Sequence, residues 1–194
     1  LQGVTIGEVG PDRKVIKGTE QYIPCDTLLL SVGLLPENEL SRKIGVELSN
    51  VTGGAVVDNT LETSIPGVLA CGNVLHVHDL VDNVTIESYD AGKNAARYIK
   101  GLEIEKSEIP VKGIEGVRYV VPQKLNLETV EDSVIFRFRV GNVFKDSYIS
   151  MYIDDNRVIH RKKKILTPGE MEEVTHYYRH GKEFKPVKPK TKQI

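Results

Sequence analysis

Between Gly72 and Asp82 the chain reads G-N-V-L-H-V-H-D-L-V-D, which gathers two imidazoles, two carboxylates and a carboxamide into one short stretch. Two histidines one residue apart, followed by an aspartate, offer nitrogen and oxygen donors of the kind that bind zinc or iron. No further ligand is evident nearby, because His160, His176 and His180 all lie far downstream in a β-rich region. The H-x-H-D run is therefore assigned no metal. His76 and His78 are expected beside a cofactor or substrate, where an imidazole can tune protonation. Gly72 has no side chain, so a ligand can approach the backbone there. Asn73 can both donate and accept hydrogen bonds.

The elements around this stretch must position it. Val68-Leu69-Ala70-Cys71 is a short apolar run opened by Pro66-Gly67 and closed by Gly72. It predicts a strand buried on both faces, with Gly72 and Asn73 at its carboxyl end, where ligands sit in open parallel sheets. A helix is predicted over Ile86 to Lys100, with its amino end near Val84 to Glu87 and Gly101 as its stop. That end would offer free N–H groups to an anionic group. Upstream, Cys25 to Val32 reads as a central strand covered on both faces. Residues 1–24, with Val4, Ile6, Val9, Val15 and Ile16 broken by polar turns, predict a short β-meander. Glu37 to Ile44 predicts a short helix capped by Asn38 or Ser41. Ala55 to Asp58 predicts another short strand.

The strings T-S-I-P-G-V-L-A-C-G-N (Thr63–Asn73) and C-D-T-L-L-L-S-V-G-L-L-P-E-N (Cys25–Asn38) occur in this order and spacing. Together they resemble the second flavin-binding motif, and the strand and turn before it, of the thioredoxin-reductase-like FAD-dependent pyridine-nucleotide oxidoreductases. The resemblance covers roughly Tyr22 to Gly101, about half the chain. It implies part of a Rossmann-like α/β FAD-binding domain. Gly72 and Asn73 would lie at the ribityl–phosphate part of FAD, and the backbone of Asn83, Val84 and Thr85 near the pyrimidine edge of the flavin. Asn73 stands where the family has an aspartate, keeping the acceptor oxygen and losing the charge. The resemblance also requires G-x-G-x-x-G loops for the FAD diphosphate and for NAD(P)H. Gly7-Glu8-Val9-Gly10 does not have that spacing, so both are expected upstream of Leu1.

Beyond Ile104 the pattern changes. Val117–Val121, Ser133–Val140 and Tyr148–Ile153 are rich in β-branched and aromatic residues. Asp154-Asp155-Asn156-Arg157 turns into Val158–Leu166, and Pro168-Gly169 turns into Met171–His176. These predict a small antiparallel β-sandwich. Its P-G-E-M turn is similar to one in flavoproteins that partner sugar-phosphate or amine dehydrogenases. Charge shifts at the same place: residues 1–104 hold 8 Lys and Arg against 14 Asp and Glu, and the rest hold 18 against 13. The expected organisation is a partial α/β domain over 1–104, a β-sandwich over 105–180, and a flexible basic tail over 181–194.

No run approaches the ~20 apolar residues that span a bilayer, and no signal-peptide pattern is present, so a cytoplasmic protein without membrane contact is expected. Cys25 and Cys71 lack C-x-x-C spacing and are expected as buried thiols. Arg161-Lys162-Lys163-Lys164 has no interleaved aromatics, so it is read as edge protection or a docking surface rather than a nucleic-acid site. Two functions follow. One is a fragment of a FAD-dependent NAD(P)H oxidoreductase, inactive alone, whose partner is the amino-terminal flavoprotein half or a dehydrogenase subunit. The other is a non-catalytic interaction module on a vestigial flavoprotein scaffold. Self-association is compatible with either.

Overall fold

The structure is a computed structural model and describes residues 1–12, 14–31, 33–101 and 108–178. The basic segment 181–194 lies outside the described residues. The chain forms two compact units, Leu1–Leu34 and the part from Leu35 onward.

In the first unit, β1 (Gly3–Ile6) and β2 (Gln21–Pro24) pair antiparallel, with Gly3 opposite Pro24 and Ile6 opposite Gln21. A Val9–Val15 bridge closes over the Gly10-Pro11-Asp12 turn, where the Gly10 N–H donates to the Lys14 carbonyl at 2.9 Å. The expected central strand beginning at Cys25 does not form. Leu29 is 90% exposed and Leu30 74% exposed. A strand buried on both faces needs a neighbour on each edge and a layer on each face, and no described residue supplies them here.

In the second unit, α1 (Glu39–Lys43) has Asn38 at its N-cap position without a side-chain cap. The Asn38 amide instead donates to the carbonyls of Gly53 (3.0 Å) and Val74 (2.7 Å), stapling two loops together. The predicted strands at Ala55–Asp58 and Val68–Cys71 reduce to single bridges, Leu48–Ala55 and Glu62–Leu69. Val68–Cys71 is half-buried and folds back antiparallel on Leu61–Thr63 around Pro66-Gly67. The local turn supplies its only ladder among the described residues, so the run gains no parallel neighbour. Val46, Ala55, Val57, Leu61, Leu75, Ala91 and Val121 nonetheless form a buried core. Gly54 is required beside it, because a Cβ there would fall 1.7 Å from the Leu75 carbonyl oxygen.

The long helix α2 spans Val81–Ile99, starting earlier than predicted. Leu80 is extended and ends the preceding loop, which lets the helix begin at Val81. Helix geometry commits the Thr85 amide to the Val81 carbonyl, and the Asn83 amide donates to Leu80 O at 3.2 Å. The free amides at the amino end therefore lie at Val81 and Asp82, directly before Asn83, Val84 and Thr85.

The rest is β-structure: β3 (Ile109–Pro110), β4 (Val117–Val121), β5 (Lys124–Leu125), β6 (Ser133–Val140), β7 (Phe144–Ile153), β8 (Asn156–Leu166) and β9 (Glu172–Tyr177). All pairings are antiparallel: β3 with β5, β6 between β4 and β9, and β7 with β8. Alternation along β6 sends Val134, Phe136, Phe138 and Val140 into the apolar cores, against Ile149, Leu166 and Val174 on one side and Leu125 on the other. Arg137 and Arg139 lie between those positions and so point the opposite way. This β region is stitched to the preceding loops. The Val57 N–H donates to Gln123 Oε1 (3.0 Å), the Asn126 N–H to Asn59 Oδ1 (2.6 Å), and the Asn59 amide to Thr129 Oγ1 (2.8 Å).

Candidate functional site

Gly72 opens a 3-10 turn, Gly72–Val74, in the left-handed region at φ 72°. Only glycine adopts that conformation without strain. The carbonyl of Gly72 accepts from the amides of Leu75 (2.9 Å) and His76 (3.2 Å), which curls the chain back toward α2. Asn73 is exposed, and its Oδ1 accepts the His78 N–H at 3.1 Å, closing the loop between these two residues.

The chemical centre is a residue outside the H-x-H-D run. Glu87, on the second turn of α2, has a side chain only 1% exposed. Its Oε2 accepts the Gly72 N–H (2.5 Å) and meets His78 Nε2 (3.0 Å), while Oε1 meets His76 Nε2 (3.1 Å) and lies 3.7 Å from Arg137 Nη1. A carboxylate has about four lone-pair sites, and four donors surround this one. A helical sequence signal for it exists: Glu87, Ala91 and Ala95 stand four apart, which puts Glu87 on the small-residue face of the helix. A carboxylate on a buried helical face must find partners.

Because an ionised carboxylate only accepts, both imidazoles must carry their proton on Nε2. Their Nδ1 atoms are buried and have no partner among the described residues. His76, His78 and Glu87 bring their ligand atoms within 4.8 Å of one another. The donor chemistry still opposes a cation there. Arg137 and the Gly72 amide occupy the carboxylate, and metal ligation through Nε2 would demand acceptors at both Nδ1 atoms.

Burial pushes the Glu87 carboxyl upward, but the hydrogen bonds from His76, His78 and Gly72 outweigh it and hold it at about 2. Burial lowers the His76 pKa by more than the neighbouring carboxylate raises it. Both shifts act in one direction on stability. The Glu87 contribution is full above its ordinary value of 4.5 and disappears as pH falls through about 2. The His76 contribution is full above 6.5 and declines below it, because the unfolded chain takes up that proton first. The urea unfolding midpoint is expected to decline below pH 6.5 and more steeply below 4.5, and Glu87→Gln is expected to flatten the lower part. A midpoint independent of pH between 7 and 4 would contradict this.

Asp79 belongs to a second network. It accepts from the Arg139 guanidinium and from the Met171 N–H (2.6 Å), so the P-G-E-M turn and the H-x-H-D run meet in space. Asp82 is exposed on α2, outside both networks. Cys25 and Cys71 are half-buried free thiols, less covered than expected. His160 stacks on Tyr148 with ring centroids 4.3 Å apart, and His176 packs edge-on against Tyr178. His180 lies outside the described residues. Alternation also divides Arg161–Lys164. Arg161 and Lys163 turn toward Glu172, Lys163 at 2.7 Å, which leaves Lys162 and Lys164 on the outer face.

Among the described residues no helix is long and apolar enough to cross a membrane. Residues 2–96 match the family model described as pyridine nucleotide-disulphide oxidoreductase. The chain is 29% identical over 120 residues to the NAD(P)H sulfur oxidoreductase (CoA-dependent) of Pyrococcus abyssi, a match covering 60% of this chain and 26% of that protein. It is 30% identical over 90 residues to the thioredoxin reductase of Listeria innocua, covering 45% of this chain and 27% of the relative. It is 38% identical over 65 residues to the ferredoxin–NAD(+) reductase component of the biphenyl dioxygenase system of Paraburkholderia xenovorans, covering 34% and 15%. The chain thus spans about a quarter or less of these relatives. No solved structure matches it.

Proposed function

Because the chain belongs, through residues 2–96, to the pyridine nucleotide-disulphide oxidoreductase family, we propose that it supplies the second flavin-binding element of a FAD-dependent NAD(P)H oxidoreductase or flavoprotein dehydrogenase subunit. The family has a Rossmann-like FAD-binding fold and depends on FAD and NAD(P)H. The observation that carries the proposal is the Gly72 turn. Among the described residues only Val84 Cγ1, at 3.3 Å, lies within 4 Å of a Cβ placed at the buried Gly72, so no other side chain crowds the turn at that point. The residues present fit FAD there: a side-chain-free turn, an exposed carboxamide on Asn73, and the amino end of α2 close by.

In this proposal Gly72 and Asn73 face the ribityl–phosphate portion. The amino end of α2, near Asn83, Val84 and Thr85, faces the pyrimidine edge. Bound flavin supplies the hydride and electron chemistry. The chain's own contribution is positional and electrostatic. The dipole of α2 favours negative charge at its amino end, and Glu87 fixes the turn relative to that helix. The β region described over residues 108–178 is read as a small sandwich joined to this element, and the setting as cytoplasmic. The partner is a flavoprotein segment or dehydrogenase subunit. It would cover the exposed outer α2 residues Val81, Tyr89 and Ile99.

One observation favours the second reading, an interaction module on a vestigial scaffold. Asn73 Oδ1 is already engaged by the His78 amide. The two readings separate on one measurement: visible absorption of the purified chain after excess FAD and desalting, alone and with the diphosphate-binding half of a flavoprotein supplied. A flavin band near ~450 nm in either sample is expected. A colourless protein in both would favour the interaction module.

A further inference from the structure

The guanidinium groups of Arg137 and Arg139 are largely buried, with side chains 8% and 13% exposed. Burying such a charge is costly unless its donors are all met. Arg139 has five N–H donors and five acceptors around it. Nε donates to Tyr119 Oη (3.1 Å), and Nη1 to the carbonyls of Pro168 (3.4 Å) and Gly169. Nη2 donates to the carbonyl of Val77 (3.1 Å) and to Asp79 Oδ1. Asp79 Oδ2 accepts the Met171 N–H. One side chain of β6 thus holds the loop before α2, the turn before β9 and a tyrosine of β4. Arg137, two residues earlier on the same face, lies 3.7 Å from Glu87 Oε1 and 2.7 Å from Glu173 Oε1.

These contacts bracket the segment from Gly72 to Leu80, which sets how far the turn stands from the amino end of α2. A ligand that touches both ends is sensitive to that spacing. We infer that Arg139, with Arg137 beside it, is a positioning residue by which the β region fixes the Leu75–Leu80 loop and thereby sets the affinity for flavin at the Gly72 turn. This rests on the flavin reading above. Lysine cannot replace the arginine, because a single ammonium keeps the charge but lacks the planar five-donor fork.

The test compares the parent chain, Arg139→Lys, Asp79→Asn and the outer-face control Lys162→Ala, each with the diphosphate-binding half supplied. FAD affinity is read by fluorescence titration under conditions where circular dichroism shows each protein folded. The imidazole nitrogen resonances of His76 and His78 report the loop. Arg139→Lys is expected to shift those resonances and weaken FAD binding roughly tenfold, the scale of one lost charge-assisted hydrogen bond. Asp79→Asn is expected to do the same to a lesser degree, and Lys162→Ala to change neither. A merely stabilising arginine would lower the melting temperature and leave the affinity of the folded fraction unchanged. FAD affinity within twofold of the parent, with the resonances shifted, would overturn the inference while leaving the flavin reading intact. Failure of the parent itself to bind FAD would instead remove that reading and this inference with it.

Discussion

Glu87→Ala is expected to lower the unfolding free energy by about 3–5 kcal/mol, the range for breaking a buried, paired charge. The truncation removes one acceptor group and strands the His76 and His78 Nε2 protons, the Gly72 amide and one contact of Arg137. Each of those groups is buried or nearly so, and water cannot replace the carboxylate without opening the loop. The neutral isostere is expected to do little better. In Glu87→Gln the new NH2 group faces the Gly72 amide at one position and Arg137 at the other, both obligate donors, even where an imidazole changes tautomer to accept from it. Urea denaturation of the parent and both variants at pH 7 measures the loss. A change below about 1 kcal/mol in Glu87→Ala, the size of an ordinary surface substitution, would mean that the four-donor arrangement is not what holds the loop.

Gly72→Val is expected to abolish flavin retention while leaving the strands of the β region folded. At φ 72° a non-glycine residue costs about 1–2 kcal/mol, and a β-branched side chain is worse suited still. Its Cβ would stand 3.3 Å from Val84 Cγ1, so a contact forms just where the turn approaches Val84, one of the residues proposed at the flavin. The local shift then passes to the Gly72 amide and hence to Glu87. The measurement is flavin absorbance per mole of protein after desalting, with the diphosphate-binding half supplied, beside near- and far-ultraviolet circular dichroism. Unaltered flavin content would show that the cofactor does not touch this turn. Loss of flavin with loss of all β signal would show a folding defect instead.

The β region was the more legible part of the fold. Strands β4 and β6 fall on Val117–Val121 and Ser133–Val140 as alternation predicts, and the turn at Asp154-Asp155 lies between β7 and β8. The β7–β8 hairpin takes its partner from adjacent sequence, so a local pattern is enough to specify it, whereas the β6–β9 pairing spans more distant segments. The runs at Cys25–Ser31 and Val68–Cys71 failed as strands for the converse reason. A buried parallel strand is defined by neighbours that the pattern does not contain, and hydrophobicity alone does not provide them. The start of α2 was misplaced because the apolar period begins at Ile86, whereas the helix is already formed at Val81.

For the site, the sequence by itself singled out Gly72-Asn73 and the H-x-H-D run and carried the family resemblance. Only the tertiary structure decided what that run does. Glu87 joins Gly72 across 15 residues, Arg139 reaches Val77 across 62, and Met171 reaches Asp79 across 92. A motif scan joins residues that are neighbours along the chain. Buried charges choose partners by proximity after folding, because each must replace lost water with whichever donors and acceptors the core brings near.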